Sequence, residues 1–202
     1  PLSALDANLR EDMRVELKRI QDRIGVTTVF VTHDQAEALA MSDRIVVMSE
    51  GRVEQTGDPQ EVYNTPASEF VARFLGASNI VEATSGATEG EAVVLEVPGF
   101  GRLAVPRARA PRLNGPGPAK LVLRAEKLHL APADAPPPED GIAVKGRVET
   151  VDYQGQAARY FVRVGERQLQ AINMIGDRPH AEGAAVSVQL SGRDCAALPG
   201  DA

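Results

Sequence analysis

Apolar residues in the first quarter of the chain recur at helical intervals. Leu9, Met13, Leu17, Ile20 and Ile24 are spaced four, four, three and four. That is one stripe on one face of a helix, with Arg10, Glu11, Arg14, Lys18 and Asp22 turned toward water. Asp6 is placed to cap its start, because a carboxylate there accepts free backbone N–H groups. Gly25 is placed to end it. The period then changes. Val26 to Thr32 is β-branched and nearly all apolar, which predicts a strand covered on both faces. Asp34 with Glu37 fits a capping box, so a second helix is expected directly after His33. Arg44 to Met48 predicts another buried strand, Ser49 to Arg52 a turn, and Val53-Glu54-Gln55 an alternating return. Asp58-Pro59-Gln60-Glu61 opens a third helix with a cap, a first-turn proline and a glutamate. Thr65-Pro66 opens a fourth, carrying Phe70, Val71, Phe74 and Leu75 and stopped by Gly76.

From about residue 77 helical periodicity fades. Short strands separated by Gly and Pro are predicted at Asn79–Ala83, Ala92–Val97, Arg102–Val105, Lys120–Leu123, Ala143–Tyr153, Arg159–Val164, Gln168–Ile172 and Val186–Leu190. Such spacing predicts a small β-barrel or sandwich. Pro106–Pro118 and Pro132–Pro138 read as long loops, because proline cannot serve a central ladder. The fold class is α+β, with units 1–76 and 77–202.

Composition narrows the function. A chain of 202 residues can bury a sizeable core in one or two domains. Twenty-two basic against 28 acidic residues give a net charge of -6, which argues against a dedicated nucleic-acid binder. The single cysteine, Cys195, excludes an intramolecular disulfide and a cysteine-built zinc site. It has no base beside it in sequence, so no catalytic role is read for it. His129 and His180 lack ligand companions at useful spacing; they are expected to face solvent, and no metal site is expected. No apolar run reaches the roughly 18 residues of a membrane span, and no signal peptide precedes the first helix. A soluble cytosolic protein is expected. The start at Pro1, without methionine, suggests a piece of something longer.

His33 sits where a strand is expected to end and a helix to begin. Ligands of open α/β sheets collect beyond the carboxyl ends of the strands, and a histidine there can hydrogen-bond an anionic group. An isolated histidine more often simply closes a loop. The flanking residues change that weighting. Ser3-Ala4-Leu5-Asp6, a helix, then Val31-Thr32-His33-Asp34-Gln35-Ala36-Glu37-Ala38 form one part of a pattern. Asp43-Arg44-Ile45-Val46-Val47-Met48, Gly51-Arg52-Val53, Gly57-Asp58-Pro59 and Tyr63-Asn64-Thr65-Pro66 form the rest. Together they resemble the end of an ABC-transporter ATPase domain, over essentially all of residues 1–76. The Gly57-to-Leu75 stretch looks most like importers of the sugar, polyamine, ferric-ion and sulfate type.

The resemblance implies roles. Ser3, Ala4, Leu5 and Asp6 match the D-loop at the interface of two ATPase subunits; for Asp6 that is compatible with a helix cap. His33 matches the switch histidine, which contacts the γ-phosphate of ATP and orients the attacking water. Asp34, Gln35 and Glu37 read as capping and surface residues. In the intact parent the resemblance implies ATP and Mg2+, a homodimer of ATPase subunits, transmembrane permease subunits and, indirectly, a solute-binding protein. It implies a cytoplasmic location, peripheral on the inner face of the cell membrane.

The machinery that grips nucleotide is missing from these residues. No Gly-x-x-x-x-Gly-Lys-Ser/Thr phosphate loop occurs. Gly115-Pro116-Gly117-Pro118-Ala119-Lys120 is glycine-rich, but its prolines remove donors. The acidic strand end that would hold Mg2+ is absent. Leu190-Ser191-Gly192-Arg193-Asp194 is only superficially like the family's signature motif, since it follows a β-run and lacks the following helix. The chain by itself is therefore expected to need no cofactor and to hydrolyse no ATP, and to expose surface that the parent buries.

Residues 77–202 resemble the OB-like TOBE domain that follows the ATPase domain in such importers. The resemblance rests on Leu123-Arg124-Ala125-Glu126, Gly146 to Gly155, Tyr160-Phe161-Val162 and Gly183 to Val188. Alanine at 125 replaces the usual proline. Arg124 and Glu126, two apart, are expected on one side of a strand, as a surface ion pair or, more sharply, as a ligand or regulatory contact. The alternative function is a non-enzymatic ligand-binding, dimerisation or regulatory β-barrel. A nucleic-acid role fits poorly, because aromatics are few and Arg102, Arg107, Arg109 and Arg112 read as a solvated loop.

Overall fold

A computed structural model describes residues 7–201, and the chain forms two compact units that divide between Tyr63 and Asn64. In the first unit, α1 (Ala7–Ile24) ends where the Gly25 N–H donates to the Gln21 carbonyl at 2.9 Å. Lys18 bridges Asp43 at 2.9 Å and Asp22 at 3.1 Å, and these carboxylates raise its pKa, Asp43 most. The stripe Leu9, Met13, Leu17, Ile20 and Ile24 forms on one face as expected, but it is exposed.

Val26 to Thr32 is not a strand. The segment runs without ladder partners, and Val29 and Val31 are 88% and 91% exposed. β-branched residues favour extended backbone, but a strand needs a neighbour for its N–H and C=O groups, and no described strand lies beside this one. Its expected cover on both faces is overturned. Helix α2 (Gln35–Met41) follows. β1 (Ile45–Ser49) and β2 (Arg52–Gly57) pair as a hairpin whose turn, Glu50 and Gly51, has positive φ at both residues, 49° and 76°. β1 is only half covered: Ile45 and Val47 are buried, while Val46 and Met48 face out. α3 (Pro59–Asn64) starts at Asp58, whose carboxylate accepts the Glu61 N–H at 2.9 Å.

The second unit opens with α4 (Glu69–Phe74), capped by the Ser68 hydroxyl, and continues as two five-stranded antiparallel sheets. The first contains β3 (Ser78–Glu89), β4 (Ala92–Val97), β5 (Gly101–Pro106), β6 (Gly117–Arg124) and β12 (Cys195–Pro199), in the order β12-β6-β3-β4-β5. The second contains β7 (His129–Pro132), β8 (Gly141–Tyr153), β9 (Ala157–Val164), β10 (Arg167–Met174) and β11 (Ala185–Ser191), in the order β10-β9-β8-β11-β7. Inward residues of both sheets, among them Leu95, Leu121, Val162 and Val188, share one core. The α+β architecture with antiparallel sheets is as expected.

Long β8 serves two neighbours. It pairs with β11 over Gly141–Arg147 and with β9 over Arg147–Tyr153, with a register shift at Val148/Thr150 that coils it. Gly146 lies in the coil, where a Cβ would meet Val162 and Val188 methyls at 2.7 and 2.8 Å. The edges of this sheet, β7 and β10, are then joined by one side chain. Asn173 donates to the Leu128 carbonyl and accepts from the Leu130 N–H, both at 2.8 Å. Its amide stands in for a peptide group and closes an OB-like barrel. Asn79 on β3 does the same for Gln170 on β10, at 2.8 and 2.7 Å, and so ties the sheets together.

Two strands, β7 and β12, escape a pattern reading. Both are short edge strands that end in proline, which only an edge tolerates. Cys195 opens β12. It is buried and donates to the Ser191 carbonyl at 3.1 Å, and burial pushes its pKa from 9.0 up to about 12.

Two outcomes are expected. Asn79→Ala removes the partners of the Gln170 N–H and C=O and should lower stability by about 3 kcal/mol in a urea titration. At pH 8 the folded protein should resist a thiol-disulfide reagent that labels it rapidly once unfolded. Because the folded thiol ionises later than the unfolded one, its contribution to stability is intact below pH 9 and is lost as pH rises toward 12.

Candidate functional site

The entry to α2 is the most organised polar constellation of the first unit. Asp34 is its N-cap, with extended backbone (φ -86°, ψ 112°), and its carboxylate accepts the Ala36 N–H at 2.9 Å and the Glu37 N–H at 3.2 Å. In a simple capping box the glutamate three residues on would take the N-cap amide directly. Here a hydroxyl is inserted. The Asp34 N–H donates to Thr32 Oγ1 at 2.9 Å, and Thr32 Oγ1 donates to Glu37 Oε2 at 2.7 Å. Glu37 is only 6% exposed, so it is an interior carboxylate rather than the surface residue expected from sequence.

His33 lies on the bend between Thr32 and Asp34 and is exposed. Its neighbours on both sides are held while its ring stays available. An imidazole so placed can donate to an anionic oxygen with one nitrogen and accept from water with the other. The remaining residues of this expected site, Ser3, Ala4, Leu5 and Asp6, lie outside the described residues. The role of Thr32 was missed from sequence; its signal was a hydroxyl two positions before a capping aspartate.

In the β-unit the structure corrects the reading of Arg124 and Glu126. They do not share a strand: Arg124 ends β6, and Glu126 lies in a one-turn 3-10 helix, Ala125–Lys127. Arg124 is 4% exposed. Its Nη1 donates to the Ala72 carbonyl at 2.8 Å, to the Leu75 carbonyl and to Ser78 Oγ at 2.6 Å. It is a C-terminal cap for α4, where helix carbonyls are left unpaired and cations are favoured. Lys120, four residues earlier on β6, holds the other end of α4 through Glu69 at 2.8 Å, and reaches Asp201 at 2.6 Å. Asp201 and Glu69 push the Lys120 pKa upward, and Lys120 with Arg73 holds Glu69 low. Between the two cations, Val122 packs with Ala72, Ala196 and Leu198.

A groove of this unit, about 390 Å3, is lined by Arg102, Glu139, Asp140 and Arg193 among others, and neither Arg124 nor Glu126 reaches it. Gly192 closes against β5; a Cβ there would lie 1.8 Å from the Ala104 carbonyl oxygen. That contact, with a 3-10 turn and then β12, accounts for Ser191-Gly192-Arg193. His180, expected in solvent, is half-buried with its ring edge-on to Tyr160 at 5.7 Å.

Comparison with known proteins places this geometry. Residues 121–198 match the TOBE domain family. The spermidine/putrescine import ATP-binding protein PotA of Rubrobacter xylanophilus is 42% identical over 208 residues, covering 99% of this chain and 52% of that protein. The PotA protein of Acidothermus cellulolyticus is 48% identical over 162 residues, 80% of this chain and 41% of that protein. The Fe(3+) ions import ATP-binding protein FbpC 1 of Rhizobium meliloti is 36% identical over 200 residues, 99% of this chain and 54% of that protein. The cytoplasmic molybdate-binding protein ModG shares the β-fold, with a TM-score of 0.50 at 16% identity over 60% of this chain and 95% of that one. The β-unit therefore contains a TOBE domain over residues 121–198. Over nearly its whole length the chain is similar to import ATP-binding proteins, and it spans about half the length of the relatives it matches. Among the described residues, no helix is long and apolar enough to cross a membrane.

Arg124→Met should undock α4 and lower stability by about 3 kcal/mol in a denaturant titration, because three acceptors lose a charged donor. Arg124→Lys should recover part of it, since all three acceptors are reached from one nitrogen and an ammonium also carries several donors on a single nitrogen.

Proposed function

We propose that this chain carries the nucleotide-sensing histidine and the regulatory β-domain of an ABC importer's ATP-hydrolysing subunit. In sequence terms, residues 1–76 are the ATPase part and residues 77–202 the regulatory part. The observation that supports this best is His33, exposed on a bend pinned from both sides, in a chain 42% identical to an import ATP-binding protein over nearly its whole length. Phosphoryl transfer calls for positioning and charge stabilisation rather than covalent chemistry. One imidazole nitrogen donates to a γ-phosphate oxygen, and the ring helps align water for in-line attack. Mg2+ supplies charge neutralisation on the phosphates; none of the described residues is assigned to it.

In this reading two subunits sandwich ATP, with Ser3 to Asp6 at their interface. The pair drives permease subunits at the inner face of the membrane, and a solute-binding protein feeds them. The relatives are named for spermidine/putrescine or for Fe(3+) ions; in this reading the choice of solute belongs mainly to other subunits.

ATP turnover is the test. In a whole subunit containing this sequence, His33→Ala should lower kcat by about 100-fold with the KM for ATP little changed. The 202-residue chain should show no turnover of its own. Full turnover by the His33→Ala subunit, or His33-dependent turnover by the chain alone, would overturn the reading.

A further inference from the structure

The bend that presents His33 depends on a single hydroxyl. Thr32 Oγ1 accepts the Asp34 N–H and donates to Glu37 Oε2, at 2.9 and 2.7 Å. The two bonds bracket His33: one anchors the residue after it, and both pass through the residue before it. Asp34 in turn holds the first turn of α2 through the Ala36 and Glu37 amides. The backbone on either side of His33 is thus tied to the helix, while nothing among the described residues is bonded to the ring itself. Glu37 fixes the direction of the hydroxyl. Its carboxylate is buried and only accepts, so the Thr32 proton points to it and the Thr32 lone pairs point to the Asp34 amide. Threonine suits the position because its methyl group and β-branching favour the extended backbone that enters the bend.

We propose that Thr32 and Glu37 are positioning residues for His33, setting the bend from which its ring meets the γ-phosphate. This rests on the reading of His33 given above. Neither residue touches nucleotide in this scheme. Both act through the backbone of residues 32–34, so their loss displaces the ring without changing its chemistry.

Two measurements separate the parts. In the 202-residue chain, Thr32→Val keeps shape and loses both bonds. Amide hydrogen exchange at Asp34 should accelerate about tenfold, while amides of the β-domain stay protected. Thr32→Ser and Glu37→Gln, which keep a hydroxyl and an acceptor, should exchange almost as the parent does; Glu37→Leu should behave like Thr32→Val. In the whole subunit, Thr32→Val should lower kcat about tenfold at unchanged KM for ATP, and Thr32→Ser should restore it. Unchanged Asp34 exchange in Thr32→Val overturns the hydroxyl's role. Faster exchange with unchanged kcat overturns its bearing on His33. If His33→Ala itself retains full turnover, the reading of His33 fails, while the exchange data still decide whether Thr32 holds the bend.

Discussion

A buried peptide group must find a hydrogen-bond partner, and regular structure supplies one only while a helix or a ladder lasts. Where α4 runs out, its carbonyls face the interior of the β-unit, and the Arg124 guanidinium takes them. Where the second sheet reaches its edges, the Asn173 and Asn79 amides take the place of the missing strand. Where the chain turns into α2, Thr32 takes the Asp34 amide. In each case a polar side chain completes a backbone network, and the surrounding apolar residues pack on the geometry it sets. Remove these few groups and the core of the β-unit keeps its hydrophobicity but loses what fixes the junction between its sheets.

The two units use their apolar residues differently. In the β-unit the alternating pattern is buried: odd positions of β3 from Val81 to Ser85 turn inward, and Leu95, Val105 and Leu121 are fully covered. In the first unit a stripe of equal regularity on α1, and the apolar run from Val26 to Val31, remain open to solvent. The same hydrophobic code is present in both, and only one unit contains the layers that answer it. The exposed His33 stands beside that uncovered run. The nucleotide contact proposed for His33 therefore belongs to the less covered unit, while the β-unit carries its own core.

Much of the fold was legible. Helical period gave α1 and a capping aspartate gave the start of α2; β4 at its observed bounds and the inner spans of β8 to β11 followed from strand pattern, because burial of one face leaves an alternation that sequence preserves. β7 and β12 were not legible: four or five residues at a sheet edge, ending in proline, carry too little alternation. Val26 to Thr32 was misread because propensity reports what a segment can join and not whether a neighbour is present. Within the candidate site, the Asp34 cap was legible from residue type and spacing, whereas His33 was singled out only by the family resemblance of its flanking residues. Thr32 was not, since a hydroxyl relay leaves no periodic trace. The interior positions of Glu37 and Arg124 were not either, since charged residues read as surface until the fold shows what they pair with.

Lys120 and Arg124 lie along one strand, and α4 is fastened across them at both of its ends. Along the chain from Ser68, one ion pair and one set of charge-assisted hydrogen bonds come before the ladder of β3 begins. Helix α4 is therefore fixed to β6 at both of its ends before the chain enters β3, so its orientation is set by a strand that lies about forty residues further on in the sequence.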